Sequence, residues 1–294
     1  TSHMRSLNHP GRSLAYGATG MVATSHPTAS IVGLDILRAG GNAVDAAIAI
    51  ASTLGIVEPA MTGVGGDCFA LLWKPAGVPA PGQLGQGKAG SNSGKLIALN
   101  ASGRAPKAAT TDWYAKKGIK TIEMQSPHAV TVPGCVDGWA TLLADHGTMS
   151  FAQVLAPAIE LAEKGFPVTP RVAYDWAKLD AKLRVHAGAR QHLLKDGRIP
   201  RERETMIFPA LARTLRAIAK NGRDAFYQGA VAEDLVTTLN ELGGLHTRAD
   251  FEAQMTTASY VEPISINYGG FDVCELPPNG QGFAALEMLS ILKN

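Results

Sequence analysis

Cysteine is scarce in this chain, and its scarcity excludes two kinds of architecture. The 294 residues contain three cysteines, Cys68, Cys135 and Cys274. Their odd number and wide spacing argue against a disulfide framework, and no C-x-x-C or Cys/His pattern of a zinc site is present. We therefore expect small buried thiols, no metal, and a reducing compartment, the cytoplasm. A periplasmic location stays open if a leader peptide has been removed.

An excess of one charge and a long apolar run are also missing. Lysine and arginine total 27, aspartate and glutamate total 25, and the net charge is +2. This balance favours neither nucleic acid nor a membrane surface as a partner. The most apolar run, residues 43–57, contains Asp45 and is shorter than the ~18 to 20 residues of a membrane span. We predict no nucleic-acid partner and no membrane insertion.

The apolar content is sufficient for a folded core. Hydrophobic residues make up 46% of the chain and charged residues 18%, which is typical of globular domains. We interpret residues 1–16 as a tag remnant and a polar tail, and residues 17–294 as one folded portion, mainly helical at about 150–245. An amphipathic helix beginning near Gly282 keeps its period to Asn294, so we expect the natural chain to continue.

Two consecutive helices are predicted near the N-terminus. Thr24 or Ser25 can cap the first helix, and the glycines at 40–41 end it. Asn42 caps the second helix, with Asp45 three residues later as in a capping box. Because the second helix is apolar on every side, we expect it to be buried on every side.

A glycine-rich segment at 61–67 precedes an apolar run at 68–73, which predicts a buried strand. The glycines neither open a helix nor precede a Lys-Ser/Thr pair, so they do not form a phosphate loop. We interpret the segment as a tight turn or a close backbone approach. Asp67 is interpreted as an acceptor for backbone amides of this turn rather than as a catalytic acid.

Short motifs along the chain resemble, in order and spacing, the large subunit of the γ-glutamyltransferase family. They include Gly-Gly-Asn-Ala-Val-Asp-Ala-Ala at 40–47 and Gly-Val-Gly-Gly-Asp at 63–67. The full set lies at residues 20–23, 40–47, 63–67, 132–139, 158–162 and 277–282. The resemblance extends over roughly residues 17–294.

The resemblance implies an α+β fold, the four-layer αββα sandwich of N-terminal-nucleophile hydrolases. It also implies a precursor that cuts itself before a threonine, which then becomes the nucleophile of a small subunit. The expected cut lies beyond residue 294. We therefore predict no catalytic nucleophile in this chain and a small subunit from the same precursor as its partner. Acyl transfer of this kind needs no metal or cofactor.

Residues 100–106 depart from the family pattern. In the family, an arginine within Arg-Glu-x-Ala-Pro grips the α-carboxylate of the glutamyl group, whereas this chain reads Asn-Ala-Ser-Gly-Arg-Ala-Pro. Ser102 stands at the arginine's place. Arg104 lies two residues further, on the same side of an extended strand and about 6 to 7 Å away. We interpret Ser102 as a pocket hydroxyl, and Arg104 either as an anchor for a substrate carboxylate or as a structural ion-pair or turn residue.

The resemblance leaves three functions open. An arginine shifted toward the nucleophile suits a shorter acid, and the Ser-Gly-Arg-Ala-Pro and Pro-Asn-Gly-Gln-Gly variants resemble oxamate amidohydrolases and acylases. This favours a self-processed enzyme that hydrolyses the amide of a small carboxylic acid of oxamate type. A γ-glutamyltransferase or glutathione hydrolase is the alternative with the same mechanism, and a non-catalytic structural relative is the third.

Overall fold

The computed structural model describes residues 15–76 and 94–293. In chain order the first elements are α1 (Pro27–Arg38), α2 (Ala43–Val57), β1 (Cys68–Pro75), β2 (Gly94–Ala101), α3 (Thr111–Lys116), a 3₁₀ turn (Pro127–Ala129), α4 (Cys135–His146) and α5 (Phe151–Lys164). The next are β3 (Phe166–Pro167), α6 (Pro170–Ala177), α7 (Asp180–Leu183), α8 (Ala187–Leu193), β4 (Thr205–Met206) and α9 (Pro209–Asn221). The last are α10 (Asp224–Tyr227), α11 (Ala230–Glu241), α12 (Arg248–Gln254), β5 (Ser259–Val261), β6 (Ile264–Tyr268), β7 (Phe271–Glu275) and α13 (Gly282–Leu292).

The ends of α1 and α2 follow local sequence signals. The N-cap of α1 is His26, whose Nδ1 accepts a hydrogen bond from the Thr28 amide at 3.2 Å, so the predicted cap at residue 24 or 25 is wrong. Gly40 ends the helix at φ +92°, a conformation that glycine adopts without strain. The predicted capping box of α2 is confirmed: Asn42 receives the Asp45 amide, and the Asp45 carboxylate receives the Asn42 amide.

Asp45 also joins α2 to the turn between α4 and α5. Its side chain is fully buried. It accepts hydrogen bonds from the Thr148 amide at 3.0 Å, the Thr148 hydroxyl at 2.6 Å and the Met149 amide at 3.0 Å. A buried carboxylate needs such donors in place of water. One residue of the capping box therefore fixes the relative positions of three helices.

Helix α2 lies at the centre of the helical layer, in contact with α1, α4 and α5. Ile48, Ala49 and Ile56 are each no more than 2% exposed. Ala43 and Ala47 are exposed, so the prediction of burial on every side is confirmed along most of the helix but not at these two positions. The helix buries its apolar surface within this one chain.

The main sheet is antiparallel with the strand order β1-β2-β5. One face packs on α4, where a Cβ at Gly138 would lie 2.9 Å from the Cβ of Cys68. The opposite face carries Phe69, Leu71 and Trp73, which are 39%, 42% and 52% exposed. The prediction of a buried strand is therefore wrong for the outer face of β1, because nothing in the described residues of this chain covers that side.

The remaining elements complete an α+β fold, as predicted. Helices α5 and α9 pack together, and the two-residue strands β3 and β4 pair beside them. Strands β6 and β7 form a hairpin whose turn contains Gly269 and Gly270 at positive φ, and α13 packs against it. No helix in the described ranges is long and apolar enough to span a bilayer.

Candidate functional site

A tight turn directly after β2 holds both residues that the sequence marked as candidates. The strand ends at Ala101, and Gly103 has φ +82°. A Cβ at Gly103 would lie 2.0 Å from the Val132 carbonyl oxygen, so the turn requires glycine. Ser102 and Arg104 therefore do not lie on an extended strand. The prediction that both lie on the same side of such a strand is wrong.

Ser102 and Arg104 nevertheless line the same cavity. It has a volume of about 250 Å³ and opens beside the end of the main sheet. Its lining is predominantly polar and consists of Asn100, Ser102, Gly103, Arg104, Ala105, Thr257, Ser259 and Asn279. Asn100 and Ser259 are direct cross-strand partners of β2 and β5. The cavity thus joins three parts of the chain that lie far apart in sequence.

A chain of side-chain hydrogen bonds spans the cavity. Asn100 Nδ2 donates to Asn279 Oδ1 at 3.0 Å, and Asn279 Nδ2 donates to Ser102 Oγ at 2.9 Å. The Ser102 amide donates back to Asn100 Oδ1 at 3.1 Å. Asn279 lies in the loop before α13 that the sequence marked only as a family motif. Its place in the cavity is a feature that sequence reasoning missed.

Arg104 is held by its backbone, while its guanidinium is exposed. The Arg104 carbonyl accepts a hydrogen bond from the Val132 amide at 2.9 Å. The Arg104 amide donates to Gln254 Oε1 at 3.1 Å. Within the described residues the guanidinium forms no hydrogen bond and no ion pair, so its five donors are available to a ligand. A planar guanidinium matches a carboxylate in bidentate geometry.

The glycine-rich turn before β1 braces the same corner of the fold. The Gly66 carbonyl accepts hydrogen bonds from the amides of Gly134 and Cys135 at 3.1 and 3.0 Å, which ties the turn to the N-terminus of α4. No backbone amide of the described turn donates to Asp67, so the interpretation of Asp67 as an acceptor in the turn is wrong. Asp67 is exposed, but neighbouring residues desolvate its carboxyl group enough to raise its pKa.

The cysteine thiols are poor candidates for a nucleophile. Cys135 is buried, Cys68 and Cys274 are half-buried, and all three are free. Burial raises the pKa of Cys68 to about 11 and that of Cys135 well above its usual value. Because the thiolate is the reactive form, both groups are unreactive near neutral pH.

The described histidines do not line the cavity, and three of them have clear structural partners. His26 caps α1, His128 packs against Trp113 and Tyr114, and His246 makes a 2.9 Å hydrogen bond through Nε2 with the Val130 carbonyl. In the part of the chain that the structure describes, no group of three or more His, Cys, Asp or Glu side chains is placed to hold a metal. This geometry suits binding and orientation of a small anion.

Comparison with known proteins defines the class to which this fold and cavity belong. The sequence profile of the family described as gamma-glutamyltranspeptidase matches residues 29–294. The chain therefore belongs to the gamma-glutamyltranspeptidase family. The resemblance inferred from the short motifs is confirmed.

Individual relatives carry several different names. The glutathione hydrolase-like YwrD proenzyme of Bacillus subtilis is 36% identical over 279 residues, which cover 95% of this chain and 49% of that protein. The oxamate amidohydrolase proenzyme of Klebsiella pneumoniae is 35% identical over 278 residues, covering 92% and 49%. The crystal structure of cephalosporin acylase from Bacillus halodurans is similar with a TM-score of 0.84 and 38% identity, covering 100% and 53%. The chain spans about half the length of the curated relatives it matches.

Proposed function

We propose that this chain is the large-subunit part of a self-processing amidohydrolase that cleaves the amide of a small carboxylic acid of oxamate type. The observation that carries the proposal is the polar cavity after β2, which Ser102 and the exposed residue Arg104 both line. Arg104 binds the carboxylate of the substrate in this proposal, and Ser102 contributes a hydroxyl to the pocket.

The size of the part of the cavity that this chain forms supports a short acid. Its volume of about 250 Å³ lies below the ~300 to 1,000 Å³ of ligand pockets for drug-sized molecules. Asn279 hydrogen-bonds to both Asn100 and Ser102, so the wall of the cavity is polar and does not favour a long apolar acyl chain. An acid with few atoms between its carboxylate and its amide fits these limits best.

The reaction follows from an N-terminal threonine on the partner subunit. Its hydroxyl adds to the amide carbonyl, its own α-amine accepts the hydroxyl proton, and that proton leaves with ammonia. Water then adds to the resulting ester and releases the acid, which for oxamate is oxalate. This chain contributes the binding and orientation of the carboxylate, which places the amide carbon within reach of the threonine. The proposed step uses no metal and no cofactor.

The partner is a small subunit cut from the same precursor. The names of two relatives as proenzymes support a precursor. The exposed apolar side chains of Phe69, Leu71 and Trp73 on β1 form a surface suited to a second sheet, which would complete the four-layer sandwich. The free thiols fit the cytoplasm, the compartment predicted from the scarcity of cysteine.

Glutathione hydrolase activity is the second candidate. The identity to the glutathione hydrolase-like protein, 36%, is as high as the 35% to the oxamate amidohydrolase. In this case too Arg104 binds a carboxylate, the α-carboxylate of the glutamyl group. The two candidates differ in the length of the acid between that carboxylate and the amide.

A substrate panel on the complete, self-processed protein separates the candidates. Ammonia release from oxamate is compared with glutamate release from a γ-glutamyl anilide, for the parent, for Arg104→Ala and for Arg38→Ala. Arg38 is a control because its side chain is 72% exposed on α1 and, among the described residues, pairs with Asp35 alone. We expect oxamate turnover that Arg104→Ala strongly reduces and Arg38→Ala preserves. Preferential γ-glutamyl turnover would contradict the assignment to short acids.

A further inference from the structure

Gln254, at the end of α12, binds the backbone amide of Arg104 through its side chain. Its side chain is 1% exposed. Its Oε1 accepts the hydrogen bond from the Arg104 amide at 3.1 Å, and its Nε2 donates to Thr257 Oγ1. The Thr257 hydroxyl donates back to the Gln254 carbonyl at 3.1 Å. Both ends of the Gln254 amide are thereby occupied, and its orientation is fixed.

We propose that Gln254 is a positioning residue for Arg104, and that it sets how well the protein distinguishes an anionic amide from a neutral one. This inference rests on the proposed role of Arg104 as carboxylate anchor. Gln254 does not line the cavity after β2, so it acts through the lining residues that it holds, Arg104 by its backbone amide and Thr257 by its hydroxyl.

The physical reason lies in where Arg104 is fixed. Val132 fixes its carbonyl and Gln254 fixes its amide, while no described residue fixes its guanidinium. The direction of the long side chain therefore depends on the backbone at its base. Carboxylate binding by a guanidinium is directional, since two parallel hydrogen bonds must form together. A small rotation of the backbone, carried to the end of that side chain, moves the donors out of register with the substrate.

The same helix offers a matched control. Asp250, one turn earlier on α12, accepts a hydrogen bond from the Lys107 amide at 2.9 Å, and it also caps the helix with Thr247. Asp250→Ala thus weakens the docking of α12 on the segment after the turn without removing a bond to Arg104. A purely structural role of α12 predicts the same result for both positions, whereas a positioning role predicts different results.

The test uses the complete, self-processed protein and two substrates, oxamate and oxamide. Oxamide replaces the carboxylate of oxamate by a neutral carboxamide, and both release ammonia. The readout is the ratio of kcat/KM for oxamate to kcat/KM for oxamide. We expect Gln254→Met to lower this ratio by about tenfold, mainly through the KM for oxamate, as misplacement by less than an ångström does. Arg104→Ala lowers it further, the double variant lowers it no more than Arg104→Ala alone, and Asp250→Ala lowers the melting temperature but keeps the ratio.

Each other outcome overturns a defined part of the argument. An unchanged ratio in Gln254→Met, with a reduced ratio in Arg104→Ala, overturns the role of Gln254 and leaves the anchor intact. An unchanged ratio in Arg104→Ala overturns the anchor and this inference with it. If the Met variant does not accumulate, Gln254→Asn gives the same readout, because its shorter side chain withdraws the acceptor. If the parent prefers γ-glutamyl anilides, the pair becomes the γ-glutamyl anilide and its 4-aminobutyryl counterpart, which lacks the α-carboxylate.

Discussion

Helix α2 and strand β1 are both strongly apolar, yet they differ in how far they are buried within this chain. Within this chain α2 is covered by α1, α4 and α5, and Ile56 is 1% exposed. Strand β1 is covered on one face only, and Leu71 on the other face is 42% exposed. The two segments gave the same expectation of burial, and only the helix meets it.

The comparison shows what an apolar run in a sequence measures. An apolar run indicates a surface that is shielded from water in the assembled protein, because exposed apolar surface is unfavourable. It does not record which chain supplies the cover. In the proposed assembly the partner subunit covers the outer face of β1, whereas α2 is covered within this chain alone. The predictions below test that distinction, from the largest effect to the smallest.

The largest effect is expected in the helical layer, at Asp45. Asp45→Ala removes an acceptor that serves the Asn42 amide, two groups of Thr148 and the Met149 amide. Buried donors left without a partner cost about 1 to 3 kcal/mol each, and partial relaxation reduces the sum. We expect the free energy of unfolding, measured in urea, to fall by about 3 to 5 kcal/mol.

The control for Asp45 is Asp35 on the neighbouring helix. Its carboxylate pairs with Arg38 at 2.9 Å, but its side chain is 61% exposed. Asp35→Ala is expected to change the same free energy by about 1 kcal/mol or less. Equal losses at Asp35 and Asp45 would contradict this prediction, because burial would then not determine how much a carboxylate contributes to the free energy of unfolding.

The second prediction concerns the outer face of β1. In the complete, self-processed protein we expect Leu71→Ala to lower the free energy of unfolding by about 2 to 3 kcal/mol, as at a buried leucine. The reason is that the partner's sheet covers Leu71 in the proposed assembly. Ile56→Ala on α2 is the buried reference, and Ile31→Ala, 58% exposed on α1, is the exposed one. A Leu71 value that matches Ile31 would mean that the face stays in water.

The third prediction concerns the turn that carries Ser102 and Arg104. Gly103→Ala places a methyl group 2.0 Å from the Val132 carbonyl oxygen at φ +82°. Strain of about 1 to 3 kcal/mol is expected, together with a loss of kcat/KM of tenfold or more for the preferred amide. Gly280→Ala, in the loop beside Asn279, is the control because its Cβ meets nothing within 4 Å. The hypothesis fails if both variants retain parental kcat/KM.

The sequence predicted what depends on near neighbours. The capping box of Asn42 and Asp45 and the end of α1 at Gly40 are set by residues a few positions apart, and both are confirmed. The α+β fold and the family were predicted through motifs spread along the chain and are also confirmed.

The partners within the site were beyond reach from the sequence. Asn279 lies 177 residues from Ser102, and Gln254 lies 150 residues from Arg104. No local period links positions that far apart, and both are polar residues of a kind that also occurs on ordinary surfaces. Arg104 and Ser102 were found because they interrupt a motif, and their roles stay predictions.

The smallest effect is expected at His26, which this chain itself covers. Burial lowers the pKa of His26, although Glu58 opposes the shift, and the neutral Nδ1 is the acceptor that caps α1. As the pH falls, the unfolded chain binds a proton first, near the usual pKa of about 6.5. The stability contributed by the neutral form is therefore complete above that pH and decreases below it.

His26→Asn keeps a cap acceptor without a titrating group, so the melting temperature should decrease less between pH 7 and pH 5. Part of the decrease remains, because burial also lowers the pKa values of His146 and His246. Because His26 belongs to the helical layer, the same flattening is expected in variants with and without Leu71→Ala; a dependence on Leu71 would mean that the partner reaches this layer too.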